Sequence, residues 1–346
     1  MHASLQMGQF SIIVDTIRRN KTLSFSLTLM IAFACIAASP ETQADEGGAS
    51  FWLPGQFGNL AATLTKPGLS LSLAYHHAST STATGKNFEI GGRIETGVSA
   101  RSHLLFLTPT YTFSDSVLGG QAAISMTGTF GRNDVSADAT LAGPNGNVLS
   151  RNDHTSLTGI GDLYPFGTIR WNAVNHNFMT YTMLGVPVGN YKVGHLTNLG
   201  INHWSVDIGG GYTYFNMQNG REFSVVAGFT RNFENHGTQY RNGNNLHLDW
   251  SASQFLSKNW HAGLVGYFYH QITGDSGSGA LLGDFKSRVV GIGPQAGYQF
   301  TIGKREVHLN IRGYKEFDAQ NRPEGWNAWL TLTIPIGSKL LVASQN

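Results

Sequence analysis

The stretch GLSLSLAYHHAS, Gly68 to Ser79, decides how the rest of the chain is read. Leu69, Leu71, Leu73 and Tyr75 alternate with Ser70 and Ser72, so an extended chain carries apolar groups on one side and small polar groups on the other. The same period returns in His203 to Asn216, where Trp204, Val206, Ile208, Tyr212 and Tyr214 face Ser205, Asp207 and Thr213. It returns again in Leu246 to Ser253, where Leu248 and Trp250 face His247 and Asp249. Strands of the same kind are expected at Leu104 to Phe113, Gln121 to Gly131, Gly159 to Trp171, His176 to Val188, Glu222 to Phe233, Trp260 to Ile272, Val289 to Phe300, Val307 to Phe317 and Trp326 to Ile336. That makes twelve. Beyond the N-terminus no run of eighteen apolar residues could form a spanning helix. Charged residues are only 13% of the chain, where about 25% is usual in soluble domains. Mean hydropathy is −0.14, as in a barrel whose apolar and polar residues cancel in the average.

The connections sort by length. Those at Ser114 to Gly120, Asn172 to Asn175, Met217 to Arg221, Ser257 to Asn259 and Thr301 to Glu306 are brief. Between them fall Arg132 to Thr158, Gly189 to Asn202, Glu234 to Asn245 and Thr273 to Arg288, which are longer and rich in Gly, Asn, Asp and Ser. A soluble β-sandwich shares the alternation but has no reason to sort its loops. A transmembrane antiparallel β-barrel of about twelve strands does, with short turns on the periplasmic side and long loops outside. Hydrocarbon offers no hydrogen bonds to a strand edge, which is why such a sheet must close. The pairs Tyr111 and Phe113, Tyr212 and Tyr214, Tyr267 and Tyr269, and Trp326 and Trp329 fall toward strand ends, as an aromatic belt at the membrane boundary would.

Residues 1–44 have the order of a secretory signal, with either Met1 or Met7 as the start. Arg18, Arg19 and Lys21 precede the apolar run Leu23 to Ala38, and small residues lead to a cleavage point after Ala44. Cys35, the one cysteine, lies in that run, so a mature chain has no disulfide and no thiolate site. It keeps 20 basic and 19 acidic residues, a balance that gives no reason to expect nucleic acid. The expected layout is a signal over 1–44, an N-terminal segment over 45–67, the barrel over 68–336 and a short tail over 337–346.

Many short motifs carry a further likeness. They are SFWLPGQFGNLAA at Ser50 to Ala62, GGRI at Gly91 to Ile94, PTYTF at Pro109 to Phe113, LGGQAA at Leu118 to Ala123, GIGDLYP at Gly159 to Pro165, RWN at Arg170 to Asn172, HNFMTY at His176 to Tyr181, GDSGSGA at Gly274 to Ala280 and NRPEGWNAWLTL at Asn321 to Leu332. From about Glu46 to Ile336 the chain resembles the outer-membrane transporters associated with the meta-pathway of phenol degradation. The resemblance implies a barrel among outer-membrane lipids of a Gram-negative bacterium and passage of small solutes, often aromatic or hydrophobic. It names no single solute and no oligomeric state. In one respect the chain departs from many outer-membrane barrels: it continues past Ile336 through GSKLLVASQN rather than ending on an aromatic residue.

Signs of catalysis are weak. His76 and His77 are adjacent and therefore fall on opposite faces of a strand, and no zinc-ligand spacing occurs, so neither cofactor nor metal is expected. GDSGSGA lacks a nucleophile elbow and suits turn geometry better than a serine nucleophile. An outer-membrane lipase-like barrel is the rival enzyme reading. The repeats Gly209-Gly210-Gly211 and Gly291-Ile292-Gly293 suit places where strands bend or the wall must lack side chains. If Leu69, Ile208, Leu248 and Ile311 face lipid, parity sends Asp162, Arg170, Asp207, His247, Asp249, His308 and Arg312 toward the lumen, where they would solvate the wall and could form Arg-carboxylate pairs. Phe51, Trp52, Leu53 and Phe57 are too apolar for a free tail, and Pro54 and Gly55 break any strand. Such a segment must find cover, either as a hatch within the barrel or as a strand packed at its rim.

Overall fold

The computed structural model describes residues 50–82, 87–90, 93–142, 148–281 and 283–337. The expected signal over 1–44, Cys35, part of GGRI and residues 338–346 of the tail lie outside them. Fourteen strands follow one another: β1 (Gly68–Ser81), β2 (Asn87–Ile90), β3 (Arg93–Thr96), β4 (Val98–Val117), β5 (Gly120–Ala142), β6 (Val148–Ala173), β7 (His176–Gly185), β8 (Ser205–Asn216), β9 (Arg221–Asn232), β10 (Asn245–Phe255), β11 (Trp260–Gln271), β12 (Arg288–Ile302), β13 (Arg305–Gln320) and β14 (Glu324–Gly337). Strands β2 and β3 form a separate hairpin. The other twelve make a closed antiparallel barrel in which β14 returns to pair with β1, from Leu69 against Gly337 to Ser81 against Glu324. Closure removes the β-sandwich alternative, since every barrel strand has a hydrogen-bonded neighbour on both sides.

All twelve expected strands are present. Turns of a few residues join β4 to β5, β6 to β7, β8 to β9, β10 to β11 and β12 to β13 at one end. At the first of these, Leu118 and Gly119 both have positive φ (52° and 74°), the twist that a two-residue hairpin needs. Residues 186–204, 233–244, 272–281 and 283–287 form loops at the opposite end, and β14 finishes at the short-turn end. Two expectations need correction. Arg132 to Thr158, read as a long loop, is mostly strand, because β5 and β6 run for 23 and 26 residues and pair from Gln121 with Arg170 to Ala142 with Val148. A membrane crossing uses only about 9–11 residues, so this hairpin extends past the bilayer, where a ladder needs no apolar face.

The second correction concerns the aromatic belt. Tyr111 and Trp326 are 47% and 46% exposed and face outward, but Tyr267, Tyr269 and Trp329 are buried inside the barrel. Tyr267 and Tyr269 are two residues apart and share the inward face. Trp326 and Trp329 are three apart and take opposite faces. Strand β7 displays the alternation most simply: Asn177, Met179, Tyr181 and Met183 are buried, while Phe178, Thr180 and Leu184 are exposed. The outer surface carries Ile124, Ile160, Ile208, Leu264, Ile292, Ile311 and Leu330, each more than two-fifths exposed, as suits contact with lipid. Backbone pairing around the full circle resists detergent, so unheated protein on an SDS gel should migrate apart from the boiled sample. Identical migration together with full solubility in buffer would contradict the membrane assignment.

Candidate functional site

Residues 50–67 run inside the barrel without forming a strand. The segment starts beside the loop end, where the ring of Phe51 lies 5.7 Å from that of Tyr164, and descends to the short-turn end, where Lys66 pairs with Glu306 before the chain turns into β1. An irregular backbone enclosed by a wall must have its polar groups met by side chains. Asp249 on β10 accepts the N–H groups of both Gly55 and Phe57, each at 3.0 Å. Glu222 on β9 accepts from Leu60 at 3.0 Å, and Thr213 on β8 accepts from Ala62 at 3.0 Å. Gln121 on β5 both accepts from Thr65 N–H and donates to Thr65 C=O, each at 2.8 Å. From β13, Arg312 donates to the Gln56 carbonyl at 3.2 Å and Tyr314 to that of Gly55 at 3.3 Å. Gly55 has φ +84°, and a Cβ there would stand 2.9 Å from the Tyr314 ring, so glycine is required on both counts.

Trp52 is the apolar anchor of the segment. It is fully buried, with its ring stacked on His247 at 3.5 Å between centroids and 17° between planes, and with Phe57 and Tyr181 at 5.9 and 6.1 Å. His247 is held from below by Asp207, whose carboxylate meets Nε2 at 2.9 Å and also accepts from Thr230. The floor of this nest is bare strand. A Cβ at Gly228 would lie 2.1 Å from the Tyr181 hydroxyl and 2.6 Å from the His247 ring, so the absent side chain lets both rings lie flat against the wall. Around Phe51 and Trp52 gather Met179, Tyr181, Met183, Val226, Val265, Tyr267 and Tyr269, an apolar core inside the barrel. Burial of each large side chain there contributes about 1.5–3 kcal/mol.

The remaining sequence candidates separate into three places. Asp162 on β6 is buried and accepts from Gly189 and Ile201, each at 2.8 Å, which holds the loop of residues 186–204 against the inner wall. Arg170 and Arg312 line one cavity, of about 300 Å³, with Phe57, Phe106, Phe166 and Trp329. His308 lies near the short-turn end with its ring 5.6 Å from that of His261 and nearly parallel to it. A second cavity of about 210 Å³ opens toward the loops, lined by Ser50, His76, Tyr164, Tyr191 and Arg322 among others; Leu53 and Phe106 belong to both cavities and divide them. None of the seven candidates makes an Arg-carboxylate pair; among the described residues Arg pairs of that kind are Arg132 with Asp134 and Arg288 with Asp318, on exposed positions. The carboxylates of Asp162 and Asp249 take backbone N–H groups instead.

Glu222, Thr213, Gln121, Tyr181 and Tyr314 also belong to the site, beyond the residues that the sequence singles out. Parity carries a signal for them: Thr213 shares a face with Asp207, and Glu222 lies opposite Phe223, which is exposed. What parity does not encode is that an unpatterned segment far away in the chain would bond to them. GDSGSGA serves loop geometry: Ser276 bridges Arg241, Ser278 donates to Gln239, and Asp275 accepts from Tyr240, Gly243 and Gln271. His76 faces the interior against Trp329, and His77 faces outward beside His103. Among the described residues no group of three His, Cys, Asp or Glu side chains could hold a metal ion, and no helix is long and apolar enough to cross a membrane.

A solved structure shares this architecture. The COG4313 outer membrane channel from Pseudomonas putida F1 superposes with a TM-score of 0.60 at 15% identity, covering 82% of this chain and 99% of that one. A Pseudomonas aeruginosa FadL homologue covers 79% of this chain and 90% of its own at 9% identity, with a TM-score of only 0.38. No curated protein matches by sequence. Residues 61–332 match the family described as "Putative MetA-pathway of phenol degradation". That match spans most of the chain and nearly the whole barrel, from the foot of the inner segment to β14, and so the chain belongs to the phenol-degradation MetA-pathway family.

Proposed function

We propose that the protein is an outer-membrane channel for small hydrophobic or aromatic compounds, not an enzyme, and that residues 50–67 act as its hatch. The observation that carries the reading is the inner segment itself. It occupies the lumen with Phe51, Trp52 and Phe57 and is fastened by wall side chains, leaving aromatic-lined cavities of about 210 and 300 Å³ on the side of β1, β4 and β5. Cavities of roughly 150 Å³ already accept benzene, so single-ring compounds fit both. The P. putida neighbour, an outer membrane channel, and the family's tie to phenol degradation agree with this reading. The short turns would face the periplasm and the loops the exterior, with lipid around the outer wall. Asp162, Arg170, Asp207, His247, Asp249, His308 and Arg312 would line the lumen, some beneath the hatch and some beside the route.

Proteoliposomes test this. They should take up phenol faster than empty liposomes, while a large sugar of the kind that open porins pass should remain excluded. Absence of any added phenol flux would overturn the channel. Esterase activity abolished by one serine substitution would overturn the non-enzymatic part.

A further inference from the structure

The cavity nearer the short turns has an unusual electrostatic character. Arg170 and Arg312 both line it, yet among the described residues neither has a carboxylate within ion-pair reach. Asp249, the acid on the neighbouring wall, spends its two oxygens on Gly55 and Phe57. A guanidinium offers five N–H donors. Arg170 uses one on the Thr168 hydroxyl at 2.7 Å, and Arg312 uses one on the Gln56 carbonyl at 3.2 Å; the Nε of each is buried without a hydrogen-bond partner. Arg312 is only 5% exposed, with its guanidinium 5.7 Å from the centre of the Trp329 ring. Asp249 stands near enough to Arg312 to act on it through space but lies outside the lining of the cavity, so the two guanidiniums meet no carboxylate within it and an arriving anion would offset their unpaired charge.

We propose that this cavity binds a single-ring aromatic carboxylate, with the carboxylate against Arg170 and Arg312 and the ring among Phe57, Phe106, Phe166 and Trp329. The inference rests on the channel reading and specifies its substrate class. A carboxylate matches the planar fork of a guanidinium better than a halide or a neutral hydroxyl does, because it can accept two parallel N–H bonds. The aromatic walls contribute through ring contacts, which a small inorganic anion cannot use. At about 300 Å³ the cavity is twice the size that holds benzene, enough for a ring with its carboxylate and too small for an elongated polycyclic acid.

The test uses the detergent-solubilised full barrel and benzoate, phenol and acetate as probes, with binding followed by calorimetry. Benzoate should bind at least about tenfold more tightly than either phenol or acetate, since each of those supplies only half of the match. Arg170→Gln should lose about tenfold in benzoate affinity while the barrel keeps its heat-dependent gel shift, and Arg170→Lys should recover part of the loss. Arg170 bonds to Thr168 on its own strand and not to the hatch, so a change at this residue reports on the ligand and not on hatch seating. Equal binding of acetate and benzoate would leave only an anion site, equal binding of phenol only an apolar one, and an unchanged Arg170→Gln would remove the assigned residue; each overturns the proposal. Phenol flux into proteoliposomes separates the two levels. Phenol flux without benzoate binding defeats this site alone, whereas absence of added phenol flux defeats the channel.

Discussion

Removal of Ser50 to Ala61 is expected to leave the barrel inserted and to raise its single-channel conductance several-fold, with more frequent fluctuation. Insertion should survive because closure depends on the twelve-strand ladder, and none of the barrel's strand pairs includes a residue of this segment. Conductance should rise because the deletion takes away Phe51, Trp52, Leu53 and Phe57 together, the apolar groups that pack inside the lumen. Asp249 and Glu222 would then lose the backbone N–H groups they now accept and would face water. Rehydrated carboxylates in a widened passage also favour cations, so the reversal potential in a salt gradient should move in that direction. Planar-bilayer recording, with the SDS gel shift as a check on folding, provides both readings. Unchanged conductance from a properly inserted deletion variant would eliminate the hatch.

How far the residues alone announce the fold can be judged strand by strand. Leu248 and Trp250 against His247 and Asp249 mark a strand over Leu246 to Ser253, and the strand spans Asn245–Phe255. Such segments are readable because lipid on one side and protein on the other impose opposite polarity on alternate residues. Where that contrast ends, the period ends with it. In the outer part of the β5–β6 hairpin the exposed face no longer has to be apolar, Val135 and Ala137 alternate with Asp134 and Ser136, and composition there cannot tell a loop from a hairpin whose backbone bonds to itself. Tyr267 and Tyr269 mislead in a different way: their ring-and-hydroxyl chemistry suits a membrane boundary, but it equally suits an interior where Tyr267 donates to Glu316 and accepts from Asn327.

The site is less accessible to the same reasoning. Parity shows that Asp207, His247 and Asp249 share a face, and their burial agrees with it. The polar wall it suggests, however, is only part of the interior, which also carries Met179, Tyr181, Val226, Val265 and Tyr269. These apolar inward groups make sense once Trp52 and Phe51 occupy the lumen, and a segment without periodicity carries no instruction about which wall it will meet. Gly228 illustrates the limit. Glycine in a strand marks a close approach of some kind, and only the fold identifies the approaching groups as Tyr181 and His247.

Asp249→Ala is expected to unfasten the hatch while leaving the barrel intact. The carboxylate holds two N–H groups, those of Gly55 and Phe57, on either side of Gln56, whose carbonyl is taken by Arg312. Three consecutive residues are therefore fixed by two oppositely charged side chains from different strands. Hydrogen bonds to a charged group are worth about 1.5–3 kcal/mol each, but water entering the lumen would replace part of that, which leaves a net cost of roughly 1–3 kcal/mol to the seated state. A shift of that size changes the ratio of seated to displaced hatch by about fivefold to 150-fold. Single-channel records should show it as a matching rise in time spent at high conductance, approaching the level of the deletion variant. Asp249→Asn, which keeps one acceptor oxygen, should fall between wild type and alanine. Asp134→Asn removes the same charge from an exposed position paired with Arg132 and should leave the records unaltered. If Asp249→Ala inserts normally and gates like wild type, the segment is held by Trp52 and its neighbours alone; if Asp134→Asn gates like Asp249→Ala, the effect belongs to net charge and not to this contact.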